Sequence, residues 1–470
     1  MPSYDFVVIG SGPAGQRAAV QAAKVGAKVA VVSAMRLGGV CINTGTVPSK
    51  TLREAILDLS GVRQRALYSV GPAAMEVTIE QLLARTRDVI RHEREVIRTQ
   101  LERNHIDVFH GFGRFEGPHE IAIEGEEGSG KVTAKFILLA VGSAPYVPSN
   151  LPVNHETLLT SDDILTLPHL PRRMVVAGAG VIGVEYAAMF AVLGVDVALC
   201  DVRPTFLDMV DGEVRDLFRA QIEQAGVHFH LGEKIAHVTA GRGHAHLVVM
   251  ESGLALPADV VLVSAGRQGD TSALQLDKAG LAADPRGRIE VNAQYQTAVP
   301  HIYAAGDVIG PPQLASTSAE QGRLAACHAF GLPAETVPEL FPYGIYAIPE
   351  ISWVGKTEEE LRAQNVPYET GIARYKEIAR GTILGDSEGM MKMLVHRQTR
   401  DILGVWICGA QATELIHIGQ AVIALRGKLD YFLRTVFNYP TLAECYKVAA
   451  LNGMNKLRAQ GLVQAPAHAG

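Results

Sequence analysis

The chain has 470 residues, of which 48% are apolar and 20% charged, and its formal net charge is -6. The length favours about three domains, and the acidic balance leaves no basic surface of the kind that binds nucleic acid or anionic lipid. Five scattered cysteines differ from the even set of a secreted disulfide framework. A strand pattern begins at Tyr4, with no signal peptide before it, and no apolar run is long enough to span a membrane. A cytoplasmic location is therefore expected.

Two segments of the chain repeat one pattern. Residues 5–15 and 174–183 each combine an apolar run with a GxGxxG turn, and an alanine-rich helical stretch and a second apolar run follow. In such a unit the first glycine makes a tight turn, the second lets the backbone approach a pyrophosphate, and the third permits close packing of helix on strand. The repeat predicts two dinucleotide sites. Their glycines are Gly10, Gly12 and Gly15 in the first and Gly178, Gly180 and Gly183 in the second.

The remaining patterns place a third domain after the two nucleotide units. Helical spacing over residues 78–104 and a buried strand over 136–142 belong to the first unit. Residues 391–397 and 402–408 alternate apolar and polar side chains, which is typical of an antiparallel hairpin. The fold class is therefore predicted to be α/β, with two Rossmann-like dinucleotide-binding domains and a C-terminal α+β domain. The predicted boundaries are 1–148 and 269–340 for the first nucleotide domain, 149–268 for the second, 341–458 for the α+β domain and 459–470 for a flexible tail.

The most informative stretch is residues 38–50, which read GGVCINTGTVPSK. This stretch resembles the flavoprotein disulfide reductases, dihydrolipoamide dehydrogenase and glutathione reductase among them, which carry GGxC-x4-C-x-PSK at this point. In that family the two cysteines form a redox disulfide beside the flavin. Here Cys41 is present, but Thr46 replaces the second cysteine. A hydroxyl cannot enter thiol–disulfide exchange, which needs a second sulfur, so no disulfide relay is expected.

The resemblance implies an FAD site in the first nucleotide unit, with the pyrophosphate held by its glycines. Asp307, at the end of the TAVPHIYAAGD motif, would accept a hydrogen bond from the ribitol chain; the alternative is a strand-end aspartate that caps a turn. Family members have a glutamate that holds the adenosine ribose where this chain has Ser33. A helix opened by Leu314, Ala315 and Ser316 would point at the flavin pyrimidine. Further implied cofactor contacts are Gly39, Cys41, Thr46, Lys50, Gly113, Gly142, Ser143 and Gly266.

The resemblance also implies a charged pair at the flavin. Lys50 matches the lysine near flavin N5, and Glu185 matches the glutamate that pairs with it; the alternative is a surface lysine and an unrelated helix glutamate. The pair would place a positive charge near the atom that accepts hydride. Cys41, as a lone cysteine, would either form a sulfenic acid or mixed disulfide or pack beside the isoalloxazine ring.

A second departure from the family lies near the C-terminus. Disulfide reductases carry HPT-x2-E there, with the histidine as acid/base for the dithiol. Here the stretch is FNYPTLAE, so Tyr439 replaces the histidine while Glu444 is kept. A phenol with an ordinary pKa of about 10 is a poor proton shuttle for a thiol near neutral pH. Both the second sulfur and the base of a disulfide reductase are therefore missing.

The second nucleotide site carries two residues of opposite charge. Asp201 falls where an acid binds the ribose 2′-OH, which favours NAD, and Arg203 follows two positions later. An arginine fork suits phosphate, and the soluble transhydrogenases of this family place an arginine here. Arg203 is therefore either a clamp for the 2′-phosphate, in which case the site accepts both NAD and NADP, or a plain solvated charge.

Within the family, the soluble, Si-specific NAD(P) transhydrogenases combine a lone first cysteine, a threonine at the second position and the sequence FNYPT, as this chain does. The function predicted from this resemblance is hydride transfer between NADPH and NAD through FAD, in a homodimer whose third domain serves dimerisation. The alternatives are an NAD(P)H:quinone or dye reductase of the same fold and a flavin-binding subunit without turnover. Iron–sulfur, zinc and haem spacings are absent from the sequence, so no metal is predicted.

Overall fold

The computed structural model describes residues 1–34, 36–60, 78–125, 128–240, 246–334 and 340–463. These residues fall into two compact units. The finer division into the predicted domains remains a prediction, and most of the predicted tail, residues 464–470, lies outside the described residues. The first unit comprises the described residues of Met1–Leu52, Ile79–His169 and Ser264–Thr336, and the second those of Arg53–Thr78, Leu170–Val263 and Val337–Gly470.

A mixed sheet forms the core of the first unit. Apolar side chains pack on both of its faces, because Val7 and Ile9 belong to one hydrophobic cluster and Phe6 and Val8 to another. A central parallel strand covered on both faces must be a near-continuous apolar run. The sheet order is Asp107–His110, Val29–Ser33, Ser3–Ile9, Gly128–Leu139, Glu120–Gly125 and Phe112–Gly117, with Ile302–Ala304 also paired in parallel to Gly128–Leu139.

Other elements complete this unit and its boundary. The predicted helix over 78–104 is observed as Ile79–Glu102. The strand predicted over 136–142 is observed as Gly128–Leu139. It begins earlier than predicted because its first half pairs antiparallel with Glu120–Gly125. The helices are Pro13–Lys24, Gly39–Asn43, Thr46–Ser60, Ile79–Glu102 and Ala315–Ala329. The 3-10 turns are Ser161–Thr166, Leu276–Ala279 and Asp307–Ile309. The short strands are Ser143–Pro145, Leu158–Thr160 and Arg267–Gly269.

The second unit contains a parallel sheet, a small antiparallel sheet and a larger antiparallel sheet. The predicted hairpin is confirmed as Met390–His396 paired with Ile402–Cys408. The strands of the parallel sheet are, in order, Val227–Leu231, Asp196–Asp201, Arg173–Ala177 and Val260–Val263. The small antiparallel sheet contains Ile235–Ala240, His246–Met250 and Ala255–Ala258. The larger antiparallel sheet contains, in order, Tyr343–Ile345, Ile351–Gly355, Ile402–Cys408, Met390–His396 and Tyr368–Arg374. The helices are Val181–Val192, Gly212–Gln224, Glu358–Ala363, Ala379–Leu384, Ala412–Ala424, Leu429–Arg434 and Glu444–Ala459, with a 3-10 turn at Tyr375–Glu377.

A buried lysine joins two parts of the second unit. Lys392 is 0% exposed, and its Nζ lies 2.7 Å from Asp211 Oδ1 and 3.0 Å from Glu213 Oε2 and also binds Glu358. Burial opposes the charge of Lys392, but the hydrogen bonds that Lys392 donates to these carboxylates outweigh it, so the pKa of Lys392 lies above its ordinary value. The cluster ties the helix Gly212–Gln224 to the C-terminal sheet. None of the helices in the described part of the chain is long and apolar enough to span a membrane.

Candidate cofactor and nucleotide sites

A cleft opens in the first unit at the carboxyl ends of its parallel strands, where open α/β sheets bind ligands. It encloses about 1190 Å³, its open mouth included, which is ample for a dinucleotide. Most of the predicted cofactor contacts of the first unit line it, whereas Gly15, Lys50, Gly266, Leu314 and Ser316 do not. The predicted residues in its wall are Gly10, Gly12, Ser33, Gly39, Cys41, Thr46, Gly113, Gly142, Ser143, Asp307 and Ala315.

The three glycines of the first turn have different roles. Gly10 has φ +110°, and a Cβ there would lie 2.1 Å from the carbonyl oxygen of Ala140. A Cβ on Gly15 would lie 2.0 Å from the Gly10 oxygen, so this helix and strand can touch only at a glycine. A Cβ on Gly12 would meet no protein atom within 4 Å. The space beside Gly12 is therefore available to a ligand, as the approach of a pyrophosphate requires.

Two helices begin at this cleft. Neither Pro13–Lys24 nor Ala315–Ala329 has a side-chain cap at its start. Gly322 lets the two helices meet, because a Cβ there would lie 2.0 Å from the oxygen of Ala14. Uncapped amides and the positive ends of two helix dipoles favour an anionic ligand. The cleft therefore fits the phosphate groups of a flavin dinucleotide and the negative charge that its ring carries when reduced.

A chain of hydrogen bonds fixes Asp307 in the cleft wall. The Ser143 hydroxyl donates to Asp307 Oδ2 at 2.7 Å, and Arg267 Nε donates to the Ser143 hydroxyl oxygen at 2.9 Å. Arg267 is held in turn by Asp162, 3.3 Å away. Asp307 Oδ1 has no partner in the described part of the chain, as a contact to a ribitol hydroxyl requires. Arg267 was not predicted, and its only signal in the sequence was its position directly after Gly266.

Cys41 and Thr46 both line the same wall. Burial raises the pKa of the Cys41 thiol, and the hydrogen bond with Thr46 and the charge of Lys50 offset this only in part. The thiol is therefore protonated at neutral pH. Because the thiolate is the reactive form, this environment favours the packing role over sulfenic acid chemistry. All the cysteines, which the structure describes in full, are free.

Ser33 is buried at the end of the second strand. Its Oγ lies 2.6 Å from the Oγ of Ser11, another buried residue that lines the cleft. The two hydroxyls therefore interact with each other at the place where the family has a carboxylate for the adenosine ribose. The Ser11 contact was not predicted, because a glycine-turn serine gives no signal of its partner.

Lys50 and Glu185 belong to different units, and their pairing remains a prediction. Lys50 lies in the helix Thr46–Ser60. Glu185 is 4% exposed, and its Oε1 accepts a hydrogen bond from the backbone N–H of Tyr346 at 2.8 Å. One oxygen of the Glu185 carboxylate is therefore oriented by a residue that the sequence patterns did not connect with it.

The segment that holds Glu185 is itself anchored. Arg53, buried and 3% exposed, donates from Nε to the carbonyl oxygen of Ala347 at 2.8 Å and pairs with Glu350 at 2.8 Å. Glu350 also accepts hydrogen bonds from the backbone N–H and the hydroxyl of Thr413. These contacts fix the backbone beside Tyr346, so Glu185 has a rigid partner.

The second glycine turn repeats the geometry of the first. Gly178 has φ +117°, and its N–H donates to the oxygen of Cys200 at 2.8 Å. A Cβ on Gly180 would meet no protein atom within 4 Å, and Gly183 is buried in the helix Val181–Val192. The backbone at Gly180 is therefore open to a pyrophosphate, as it is at Gly12 in the first turn.

Asp201 and Arg203 bind each other. Arg203 Nη2 donates to Asp201 Oδ2 at 2.8 Å and Nε to Oδ1 at 3.0 Å, and the amides of Ala179 and Arg203 also donate to this carboxylate. Burial raises the pKa of Asp201, but these hydrogen bonds outweigh it, so the pKa lies below its ordinary value. Arg203 is therefore held on the Asp201 carboxylate, and its role as a clamp for the 2′-phosphate remains a prediction.

Tyr439 and Glu444 show no preparation for proton transfer. Tyr439 is 69% exposed, and its hydroxyl has no hydrogen-bond partner among the residues that the structure describes. Glu444 begins the helix Glu444–Ala459 and accepts a hydrogen bond from the backbone N–H of Thr441 at 3.4 Å. Their catalytic roles remain predictions.

Comparison with known proteins identifies the family. Residues 4–322 match the model for pyridine nucleotide-disulphide oxidoreductases, and residues 341–450 match its dimerisation domain. The chain is similar to proteins named soluble pyridine nucleotide transhydrogenase. That of Mycobacterium tuberculosis (strain ATCC 25177 / H37Ra) is 51% identical over 98% of this chain and 99% of the relative, and that of Klebsiella pneumoniae is 43% identical over 97% and 98%.

Solved structures agree with the family match. LpdA from Mycobacterium tuberculosis superimposes with a TM-score of 0.87 at 26% identity, covering 96% of this chain and 99% of that one. RclA from Escherichia coli, described as an HOCl-induced flavoprotein disulfide reductase, gives the same TM-score and identity over 95% and 100%. These matches confirm the predicted fold class. The chain belongs to the pyridine nucleotide-disulphide oxidoreductase family, alongside relatives named soluble pyridine nucleotide transhydrogenase.

Proposed function

We propose that this protein is an FAD-dependent transhydrogenase that transfers hydride between NADPH and NAD. The observation that carries the proposal is the pair Cys41 and Thr46, which lies in the wall of an intact dinucleotide cleft. A disulfide reductase needs two sulfurs here, and this chain offers one protonated thiol beside a hydroxyl. The relatives that are 43% and 51% identical are named for transhydrogenation.

The residues of the cleft bind and orient the cofactor. The backbone beside Gly12 and the starts of the two helices would hold the pyrophosphate and stabilise negative charge on the ring. Asp307, positioned by Ser143, would accept a hydrogen bond from the ribitol chain. Bound FAD supplies the hydride-transfer chemistry between the two nicotinamide nucleotides.

We propose that Lys50 and Glu185 act as a charged pair at the reacting edge of the flavin. A fixed cation close to the atom where charge develops lowers the barrier because it needs no reorganisation. The Glu185 carboxylate keeps one fixed orientation through the hydrogen bond that the Tyr346 amide donates to its Oε1. Stacked nucleotide and flavin rings would supply the proximity that hydride transfer requires.

Asp201 and Arg203 would let one site accept both nucleotides. With NAD, Asp201 can accept from the ribose hydroxyls while Arg203 remains on its carboxylate. With NADP, the guanidinium can turn from Asp201 to the 2′-phosphate, whose oxygens can accept two hydrogen bonds from its fork. A site that alternates between these arrangements binds the donor, releases it and binds the acceptor.

Arg203→Gln should weaken the binding of NADP much more than the binding of NAD. Hydrogen bonds to charged groups contribute about 1.5–3 kcal/mol, so we expect NADP binding to weaken by roughly tenfold to a hundredfold. NAD binding should change by less than about threefold, because its ribose carries no phosphate. Titration of the holoenzyme with each oxidised nucleotide, followed by flavin fluorescence, measures both dissociation constants. Equal losses for NAD and NADP would show that Arg203 is structural. Arg219→Gln, on the helix Gly212–Gln224, is the matched control.

The function is tested by two half-reactions measured separately. In anaerobic stopped flow, NADPH should bleach the flavin absorbance, and addition of NAD should restore it with formation of NADH. Glutathione disulfide and lipoamide should be reduced at no more than background rates. A quinone reduced far faster than NAD would instead identify a quinone reductase, and failure of NADPH to bleach the flavin would identify a subunit without turnover.

We further propose a cytoplasmic homodimer with Si-specific transfer. The match of residues 341–450 to a dimerisation domain supports the dimer, and the word soluble in the relatives' names supports the location. Light scattering measures the mass in solution, and NADPH deuterated on one face of its ring tests the stereochemistry.

A further inference from the structure

A second pocket adjoins the FAD cleft in the first unit and is rich in arginine. The two share the wall residues Ser33, Ala34, Gly111 and Phe112, so they meet at the adenosine end of the cleft. The side chains that belong to the second pocket alone include Arg36, Arg91, Arg94, Arg98, Glu95 and Glu124.

Most of these charges are already compensated. Glu95 pairs with Arg98 at 2.6 Å, Glu124 with Arg114 at 2.5 Å, and Arg91 with Asp88 at 2.8 Å. Both glutamates of the pocket are therefore occupied by other cations. This leaves the charges of two arginines, Arg36 and Arg94, to be accounted for.

Arg36 and Arg94 line the same pocket and are close enough for their charges to interact. Arg94 Nε donates to the neutral amide oxygen of Asn43 at 2.6 Å, and no carboxylate of the described chain forms an ion pair with Arg36 or Arg94. Burial and then the neighbouring charge of Arg36 lower the pKa of Arg94. Asn43 links the two segments, because its side-chain amide also donates to the backbone carbonyl oxygen of Arg36 at 3.0 Å.

The identity of residue 33 matters for this pocket. A glutamate there, as the family has, would place a carboxylate between the cleft and the arginines and would offset their charge. Ser33 is neutral, and its hydroxyl is directed to Ser11. The adenosine end of the cleft is therefore cationic in this chain, which attracts an anion to it.

We propose that Arg36 and Arg94 form an anion site beside the adenosine end of the cleft, and that it binds a phosphate group. Two guanidinium forks in one pocket can donate to several of the tetrahedral oxygens of phosphate, and they gain more from it than from a spherical ion. The arginines line only the second pocket, so the anion and FAD bind at the same time. Because the pocket is open to solvent, its affinity falls with ionic strength. The proposal does not depend on turnover.

The test is a calorimetric titration of the holoenzyme with inorganic phosphate, at constant ionic strength set by potassium chloride. Arg36→Gln and Arg94→Gln should each weaken phosphate binding by about tenfold or more. Arg91→Gln, in the same pocket but on a residue paired with Asp88, should leave it within about twofold. Arg36 is exposed, so Arg36→Gln folds normally, and its flavin absorbance checks this. No heat beyond that of chloride, or equal losses in all three variants, would overturn the proposal.

A second set of titrations distinguishes the source of the phosphate. Adenosine 2′-monophosphate is compared with inorganic phosphate and with adenosine. Tighter binding of the nucleotide than of phosphate, lost in Arg36→Gln, supports a nucleotide phosphate, and equal binding supports free phosphate. Binding of adenosine as tight as that of its monophosphate argues against an anion site. A failure of hydride transfer would leave these titrations unchanged, so the two proposals fail separately.

Discussion

Gly12→Ala is expected to release FAD while leaving the protein folded. The added methyl group meets no protein atom within 4 Å, so it stands in the space that a pyrophosphate must enter. Overfilling a packed contact costs about 1–3 kcal/mol, which weakens binding by roughly tenfold to a hundredfold. The measurements are the flavin absorbance retained per chain after desalting and the dissociation constant of FAD for the apoprotein.

Substitutions at two other glycines serve as comparisons for Gly12→Ala. Gly130→Ala is the matched control, because it also meets no protein atom within 4 Å but lies away from the cleft wall; its FAD content should equal that of the native chain. Gly10→Ala should instead lower the thermal midpoint of the apoprotein, because its Cβ collides with the oxygen of Ala140. Full retention of FAD by Gly12→Ala would show that the pyrophosphate does not pass this turn.

Lys392→Met is expected to destabilise the fold strongly. It removes the only cation that the described chain places within 4 Å of Asp211 and leaves this buried carboxylate beside Glu213 and Glu358. Breaking a buried ion pair by removing one partner costs about 3–5 kcal/mol. Urea unfolding measures the free energy of unfolding. Lys428→Met, which removes a half-exposed lysine 3.7 Å from Asp401, is the control and should change it by less than about 0.5 kcal/mol.

The loss in Lys392→Met should shrink as the pH falls. Burial raises the pKa of Glu358, but hydrogen bonds from Lys392 and Tyr368 outweigh it and hold the pKa below its ordinary value. A lowered carboxyl pKa stabilises the fold above the ordinary pKa, about 4.3, and this stabilisation disappears as pH falls through the folded value. The difference between native chain and variant should therefore shrink below about pH 4.3, as the pH falls through the folded pKa of Glu358. A constant difference across this fall in pH would assign the effect to packing alone.

The sequence predicted the elements whose signal is local. These elements are the glycine turns at Gly10 and Gly178, the helix over 78–104 and the hairpin of residues 391–397 and 402–408. Each follows from a spacing within a few residues, and all are observed. Most of the cofactor contacts that the family resemblance implies for the first unit line the cleft, and each of these lies inside a short motif.

The contacts that position the site were not predictable in this way. Arg267 reaches Ser143 from 124 residues away, the amide of Tyr346 reaches Glu185 from 161, and Lys392 reaches Asp211 from 181. A lone arginine or lysine in a sequence reads as a surface charge, because its partner is fixed only when strands from distant segments pair. Their burial depends on the tertiary fold, so the periodicity of a single segment does not predict it.

The cleft has a consequence for how the chain matures on the ribosome. Its wall joins Gly10 and Ser33, made early in synthesis, to Asp307 and Ala315, made some three hundred residues later. Domains tend to fold as they emerge. The first strand, turn and helix, however, cannot complete the cleft until the entire intervening nucleotide-binding segment has been translated. The nascent chain therefore acquires its flavin late, when about two thirds of it has been synthesised, and a chain that stops before Asp307 lacks the ribitol contact altogether.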